Sequence, residues 1–314
     1  MSLSAYVARR LLQMIPIALG VTILVFLLMR LLPGDPAITI LQNKATPARI
    51  ALVRHDLGLD KSVFQQYVIF MRRLAHGNLG DSIVYDVPVR QLVVERLPPT
   101  LWLLFYGATL AMLISVPLAI IAAVKRDRTA DHLIRIVPMP GLGFPAFWLG
   151  IMLLLIFGLH LGRLFPVGGY GTGPIGHLHS MFLPALTVAL TLSPILIRSL
   201  RASMLEVLES DYITTARSKG LPERRVLQKH ALRNAIIATV TVLGVNMAYL
   251  VGGTLVIEQV FAVPGVGQLM ISSIFAHDFP IVQGVTLVFA VMVVLVYLVT
   301  DVTHALLDPR VRFD

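Results

Sequence analysis

The sequence predicts an all-α polytopic membrane protein, with six transmembrane helices, a folded extracytoplasmic loop and a helical cytoplasmic loop. Three observations predict it. Hydrophobic residues make up 56% of the 314 and charged residues only 14%, with a mean hydropathy of +0.81. A soluble domain of this length needs far more charge to cover its surface. Six apolar runs approach or exceed the ~20 residues a helix needs to cross a bilayer: 11–32, 100–124, 136–162, 181–197, 235–257 and 281–300. The basic residues alternate between the connecting pieces. Pieces 1–10, 125–135, 198–233 and 301–314 carry sixteen Lys and Arg in 71 positions, while 33–98, 163–180 and 258–280 carry nine in 107. Cytoplasmic loops hold the excess, so both termini are expected in the cytoplasm, and the net charge of +9 reads as membrane anchoring. Nucleic-acid binding would need a basic patch on a recognisable module, and the sequence has none. The lack of Cys excludes disulfides and thiolate sites.

The first run follows Arg9 and Arg10, as a signal peptide would. It is too long for one, and no small-x-small cleavage site closes it before Pro33, so it reads as a retained span. The outer loop 33–98 is long enough to fold. Thr46 and Pro47 suit an N-cap and first helical position. Asp60 suits the cap of a second helix, in which Phe64, Tyr67, Val68, Met71 and Leu74 recur at helical spacing before Gly77 ends it. Asp86-x-Pro88 opens a third short helix, expected to stop at Pro98-Pro99. These helices suit a cap on the bundle's outer mouth and, compatibly, a docking surface for a soluble delivery protein. The chain divides into 1–98, the first helix plus the outer loop, and 99–310, a five-helix core with the cytoplasmic loop 198–234.

The third run opens with PMPGLGFPAFW. Three Pro and two Gly at membrane depth predict a bent or partly unwound stretch, tolerated where protein or a water-filled path satisfies the backbone. The fourth run is short and is expected to extend into its polar flank. Two spans carry polar faces: Thr187, Thr191 and Pro194 in the fourth, and Asn246, Tyr249 and Gly253 in the fifth. Polar groups in lipid are costly without a partner or water, so these faces are expected to point toward other helices or a translocation path. The candidate path residues are Thr187, Thr191, Asn246, Tyr249 and Gly253.

Nothing in the sequence reads as a catalytic centre. Gly171-Thr172-Gly173-Pro174-Ile175-Gly176 fits G-x-G-x-x-G but follows no strand, and it is expected to open no helix. No phosphate-binding G-x-x-x-x-G-K-[ST], H-E-x-x-H or G-x-S-x-G occurs. His160, His177 and His179 lie near one outer mouth with no carboxylate between residues 132 and 205. They read as loop and interfacial histidines, and no metal site is expected.

The stretch DYITTARSKGLPERRVLQKHALRNA, 211–235, is different. A strongly helix-forming sequence running on from the fourth span reaches Gly220, suited to a left-handed helix end. Leu221 follows, and Pro222 suits the first turn of a new helix. The expected shape is helix, sharp corner, helix. Thr214, Thr215, Ala216 and Ser218 sit at the corner, where small side chains let another protein's backbone approach. Arg217, Lys219, Arg224, Arg225 and Lys229 surround them. A basic cytoplasmic loop explains the charges but not the small residues.

This stretch resembles the cytoplasmic loop of ABC importer permeases, whose pattern is E-A-A-x-x-x-G followed nine residues later by I-x-L-P. Aligned on Gly220, Thr214, Thr215 and Ala216 fill the E-A-A places, and His230-Ala231-Leu232-Arg233 fills I-x-L-P. Ala216, Gly220 and Leu232 match, and Asp211 is the acidic residue one turn before the missing Glu. LLPGDP (31–36), HGNLGDSI (76–83), RLPPTLWL (96–103), FPAFWLG (144–150), RASMLEVLESDY (201–212), HALRNA (230–235), FAVPGVGQL (261–269) and LDPRVR (307–312) look like the dipeptide/oligopeptide/nickel branch, in its order. The resemblance is to the first of the two permeases in such systems. It implies a second homologous permease in a heterodimer, two ATP-hydrolysing subunits, an extracytoplasmic substrate-binding protein and the inner membrane of a bacterium. It implies no cofactor on this chain, since ATP is bound by the partners. It assigns the ATPase contact to Asp211, Thr214, Thr215, Ala216, Gly220, Leu221, Pro222, His230 and Leu232. Peptides, glutathione-like thiols, nickel chelates and some sugars are substrates of the branch. A lone channel or carrier is the competing reading. A proton- or ion-coupled carrier needs ionisable residues at mid-membrane, whereas Arg30 and Asp301 lie near span ends. A membrane-embedded hydrolase lacks catalytic groups.

Overall fold

The computed structural model describes residues 3–31, 46–57, 60–161 and 164–307. Most of the motifs at 31–36 and 307–312 lie outside them. The first helix, α1, is Leu3–Leu31. In the long segment after α1, α2 is Pro47–Leu57 and α3 is Val63–Ala75. Thr46 Oγ1 accepts from Arg49 N at 3.4 Å, as Thr-Pro predicts. The cap of α3 is Ser62, not Asp60. Ser62 Oγ accepts from Gln65 N, and Gln65 Oε1 accepts from Ser62 N, a reciprocal capping box. Asp60 instead bonds His55 Nδ1 at 3.1 Å. Gly77, at φ 70, follows the end of α3. The apolar stripe of α3 divides. Tyr67 and Phe70 pack on Phe26 of α1, while Phe64 and Val68 stay exposed.

The helix that begins after Pro88 does not stop at Pro98-Pro99. It runs on as α4, Val89–Val124. The two prolines deprive the carbonyls of Val94 and Glu95 of helical donors, but both residues are exposed, so neither is walled off from solvent. The broken backbone at 136–146 is as the Pro and Gly predict. Helix α5, Thr129–Ile136, leads through one turn at Pro140–Gly143 to α6, Ala146–Leu153, which continues as π-helix Leu154–His160. The two halves bend by 105°. A Cβ on Gly141 would stand 2.5 Å from Leu190 O, so only Gly lets this turn rest on the neighbouring backbone. Gly171–Gly176 does open a helix, α7, Gly173–Ser180, with Pro174 in its first turn, though it follows no strand.

Helix α8, Phe182–Leu208, extends well past the apolar run, as expected. It does not continue into the corner. The chain breaks at Glu209 and Ser210, then forms α9, Asp211–Ser218. Helix α10 is one 38-residue run, Glu223–Val260, containing a π-helical segment at Val226–Ala231. Helices α11, Val266–Phe275, and α12, Phe279–Leu307, complete the described residues. Among the described residues, four helices (α4, α8, α10 and α12) are long and apolar enough to cross a bilayer. The bent pair is a fifth if it counts as one span, and α1 adds a shorter apolar stretch, Leu12–Leu27.

The core lies where α4, α8 and α10 meet, around Leu103, Val188, Leu192, Leu196 and Val251. Helices α4 and α8 approach closely because Gly107 faces Val188; a Cβ there would lie 2.6 Å from Val188 Cγ1. A second cluster, with Met204, Ile213, Ala216, Val226 and Ala231, sits under the corner. A third joins Val89 and Val93 to Val266, Leu269, Ile281 and Val285.

Candidate functional site

The corner is built by backbone hydrogen bonds. Gly220 has φ 76, its N–H donates to Arg217 O at 2.9 Å, and Leu221 N–H donates to Ala216 O at 3.4 Å. This pair of bonds is the Schellman arrangement that ends a helix on a left-handed residue. Leu221 then packs into the cluster beneath. Pro222 is the cap of α10, with Arg225 N–H donating to its carbonyl at 2.8 Å. Arg217 clasps Glu223 across the corner through Nε at 3.2 Å and a terminal nitrogen at 2.8 Å. Asn234 Nδ2 donates to Tyr212 OH at 2.9 Å, tying α10 to α9.

Side chains on α9 divide by helical phase. Ile213 and Ala216, three residues apart, are buried against the chain itself, Ala216 at 7% exposure. Asp211, Thr214, Thr215 and Ser218 face outward. The expectation that Ala216 is left open for another protein is therefore corrected. Ala216 is buried in the cluster that also holds Met204, Val226 and Ala231. Two of the three outward hydroxyls bond back to their own helix, Thr215 to Asp211 O at 2.9 Å and Ser218 to Thr214 O at 3.0 Å, and all three side chains are short. His230 and Leu232 are half-buried. His230 sits within the π-helical segment, and Leu232 packs on the cluster under the corner.

The polar face of α10 is open. Tyr249 is 83% exposed, Gly253 is half-buried, and half-buried Asn246 donates its Nδ2 to Val242 O at 2.7 Å. The face on α8 is not. Thr187 is fully buried and donates to Leu183 O at 2.9 Å, so the chain's own packing closes it off from any solute. Thr191, half-buried, donates to Thr187 O. The three histidines grouped in the sequence do not converge on one another. His160, His177 and His179 each engage a different backbone carbonyl, those of Leu155, Tyr170 and Leu164.

A family model described as the binding-protein-dependent transport system inner membrane component matches residues 115–313, and the N-terminal membrane component of the same systems matches residues 3–104. The chain belongs to this family. It is a permease subunit of an ABC importer, a multi-pass membrane component without an ATPase site of its own. The permease is 40% identical over 315 residues to a Brucella abortus protein provisionally named a peptide transport system permease, covering 99% of this chain and 100% of that one. It is 37% identical over 317 residues to the oligopeptide transport system permease AppB of Bacillus subtilis, with 99% and 100% covered. With the glutathione transport system permease GsiC of Escherichia coli it shares 39% identity over 308 residues, with 98% and 99% covered. Its fold is similar to a chain of the MetNI methionine ABC transporter solved in inward-facing conformations, at a TM-score of 0.58 and 17% identity, over 69% of this chain and 97% of that chain.

Two buried networks of the permease escape a reading of faces. Glu258, fully buried near the end of α10, accepts from Thr100 Oγ1 at 2.6 Å and from Gln268 N–H at 2.9 Å, while Thr100 accepts from Val266 N–H at 2.9 Å. Three helices, α4, α10 and the start of α11, are thereby pinned together. Gly265 is Gly because a Cβ there would collide with the Glu258 carboxylate. Asp131 on α5 is fully buried and takes both Nε and a terminal nitrogen of Arg201, on the polar extension of α8, at 2.7 and 2.5 Å. The Arg201 hydrogen bonds hold the Asp131 carboxyl below the usual range. The signals were present: an acid inside an apolar run followed by Gly-x-Gly, and an Asp in a basic loop. Neither names its partner.

Proposed function

We propose that this permease spans the membrane six times with both termini cytoplasmic and pairs with a second, homologous permease. Two ATPase subunits serve the pair from the cytoplasm, and an extracytoplasmic binding protein delivers the solute. Residues 1–98 form the first helix and outer loop, and 99–310 the permease core, although α4 runs unbroken through that division. The names of the relatives support peptides, or a related small solute, as cargo.

In this reading the corner at Gly220 receives an ATPase subunit, with Thr214, Thr215 and Ser218 facing it. Asp211, His230 and Leu232 flank or support the contact. Asn246, Tyr249 and Gly253 face the path near the partner permease. The observation that carries the reading is the continuity of α10. One 38-residue helix starts at the corner and bears the polar face, about 35 Å along its axis at 1.5 Å per residue. Closure of the ATPases moves the corner, and α10 carries that movement to the path as a rigid element.

Because the chain has no Cys, a Thr215→Cys variant carries a photo-cross-linker at one site. In the assembled transporter it should cross-link to the ATPase with a yield that changes when ATP is bound. A cross-linker at Gln65→Cys should not reach it. No ATPase adduct from residue 215 would sink the proposal.

A further inference from the structure

Helix α3 carries a surface that permease function leaves unexplained. It has thirteen residues, too few to span a bilayer, yet Phe64 is 75% exposed and Val68 48%. At 100° per residue these two share one strip, next to the Tyr67 and Phe70 strip that packs on α1. Gln65, Arg72 and Arg73 occupy the remaining arc and are exposed. A shallow cleft lined by Lys61, Phe64, Gln65, Val68 and Ile69 runs along this side.

The contact with α1 fixes the depth. Tyr67 OH lies 2.8 Å from Thr22 Oγ1, and the rings of Tyr67 and Phe70 stand 5.3 and 5.9 Å from that of Phe26. The apolar run of α1 closes at Leu32, and its one charged residue is Arg30. Phe26 and Thr22 lie four and eight residues before it, roughly 6 and 12 Å along the helix axis. A helix docked there with its apolar side inward lies about 5–10 Å into the boundary between headgroups and acyl chains, the depth at which interfacial helices rest. Exposed apolar residues of α1 (Leu19, Ile23 and Leu27) continue the same lipid-facing surface.

We infer that α3 is an interfacial helix, with Phe64 and Val68 inserted among acyl chains and Lys61, Arg72 and Arg73 set against lipid phosphates. The apolar strip thus meets hydrocarbon, and the basic residues on its polar border keep their charges at headgroup level. The outer loop is thereby anchored to the membrane beside α1.

The test is fluorescence of the complete transporter in nanodiscs of phosphatidylethanolamine and phosphatidylglycerol. An environment-sensitive thiol probe is placed at Phe64→Cys, Val68→Cys or Gln65→Cys in separate samples. Spin-labelled lipids are then added, carrying the nitroxide at the headgroup, at acyl position 5 or at acyl position 12. Probes at 64 and 68 should emit to the blue and be quenched several-fold more than the probe at 65, most by the headgroup and position-5 labels. Equal quenching at all three positions, or none, overturns the inference. So does a probe at 64 that stays in water until the binding protein is added and is then shielded, because that surface would be a docking site. The readout is independent of which side of the membrane holds α3, so a wrong topology shows in reporter fusions and not here.

Discussion

Gly220 allows a graded test of the corner. Its φ of 76 lies in the left-handed region, and a Cβ built on it meets nothing within 4 Å in this chain. The cost of a side chain is therefore conformational, with no clash inside the permease. An L-residue in that region pays about 1–2 kcal/mol. Asn pays less, and a β-branched residue pays more. Such a cost shifts the population of the native corner by roughly 5–30-fold. Gly220→Asn should thus bind the ATPase nearly as the parent does, Gly220→Ala should lose a measurable fraction, and Gly220→Val most of it. All three should insert normally, because the apolar helices are untouched. The assay is co-purification of the ATPase from solubilised membranes, together with ATP-dependent uptake in vesicles. A flat series would show that the left-handed conformation is dispensable. If Asn were as damaging as Val, the ATPase itself would fill the space above Gly220, and the backbone argument would fail.

Ala216→Arg should destabilise the permease as well as lose transport, because the side chain enters the cluster of Met204, Val226 and Ala231; a normal melting temperature with lost ATPase would restore Ala216 to the partner surface. Arg201→Gln removes the two shortest partners of the buried Asp131 carboxylate, which keeps Arg135 at 3.3 Å and the Asp127 N–H at 3.0 Å, and should cost about 1.5–3 kcal/mol in a denaturation assay, whereas Arg126→Gln, which breaks the exposed pair with Glu209, should stay within about 1 kcal/mol. Since the folded-state pKa of Asp131 is depressed, the stabilisation from that pair is present above its unfolded value of about 3.9 and is lost as pH falls through the lower folded value; a decline between pH 8 and 5 that vanishes in Arg201→Gln would contradict this. Thr100→Val removes both the donor to Glu258 and the acceptor for Val266 N–H, at about 1–3 kcal/mol for each group left unsatisfied, and an unchanged melting temperature would show that water replaces the hydroxyl. Tyr249→Cys should react with a water-soluble thiol reagent at a rate that depends on nucleotide, and faster than Val245→Cys on the same helix; the reverse order would place the path elsewhere.

What was legible in the sequence was whatever hydropathy and backbone chemistry decide locally. Runs of apolar residues located the long helices, Pro and Gly located the bend after Pro140, and Gly220 with Leu221-Pro222 located the corner. What was not legible depended on which residues meet. Pro98-Pro99 looked like a stop because Pro lacks an N–H and crowds the preceding turn, but the residues whose carbonyls lose their donors, Val94 and Glu95, are exposed and the helix runs on. Asp60 and Ser62 are both plausible caps, and the choice fell to Gln65, which only Ser62 has at the third position of the following helix. Thr187 has the same local chemistry as a path-lining Thr. Its burial comes from α4 and α6, which no local pattern reports.

Small residues at the corner show the same division most sharply. Thr214, Thr215, Ala216 and Ser218 look alike as a run of small side chains, and close approach by another protein explains all of them equally well. The 100° step separates them. Ala216 shares the phase of Ile213 and is buried against its own chain, while Thr214, Thr215 and Ser218 turn their short side chains outward, those of Thr215 and Ser218 with their hydroxyls bonded to their own helix. Smallness thus has two causes within one turn of helix. The inward cause seats α9 firmly on α8 and α10, and the outward cause keeps its surface low. The proposed ATPase contact would need both, because a push delivered to the outward face reaches α10 only if the inner face does not slip.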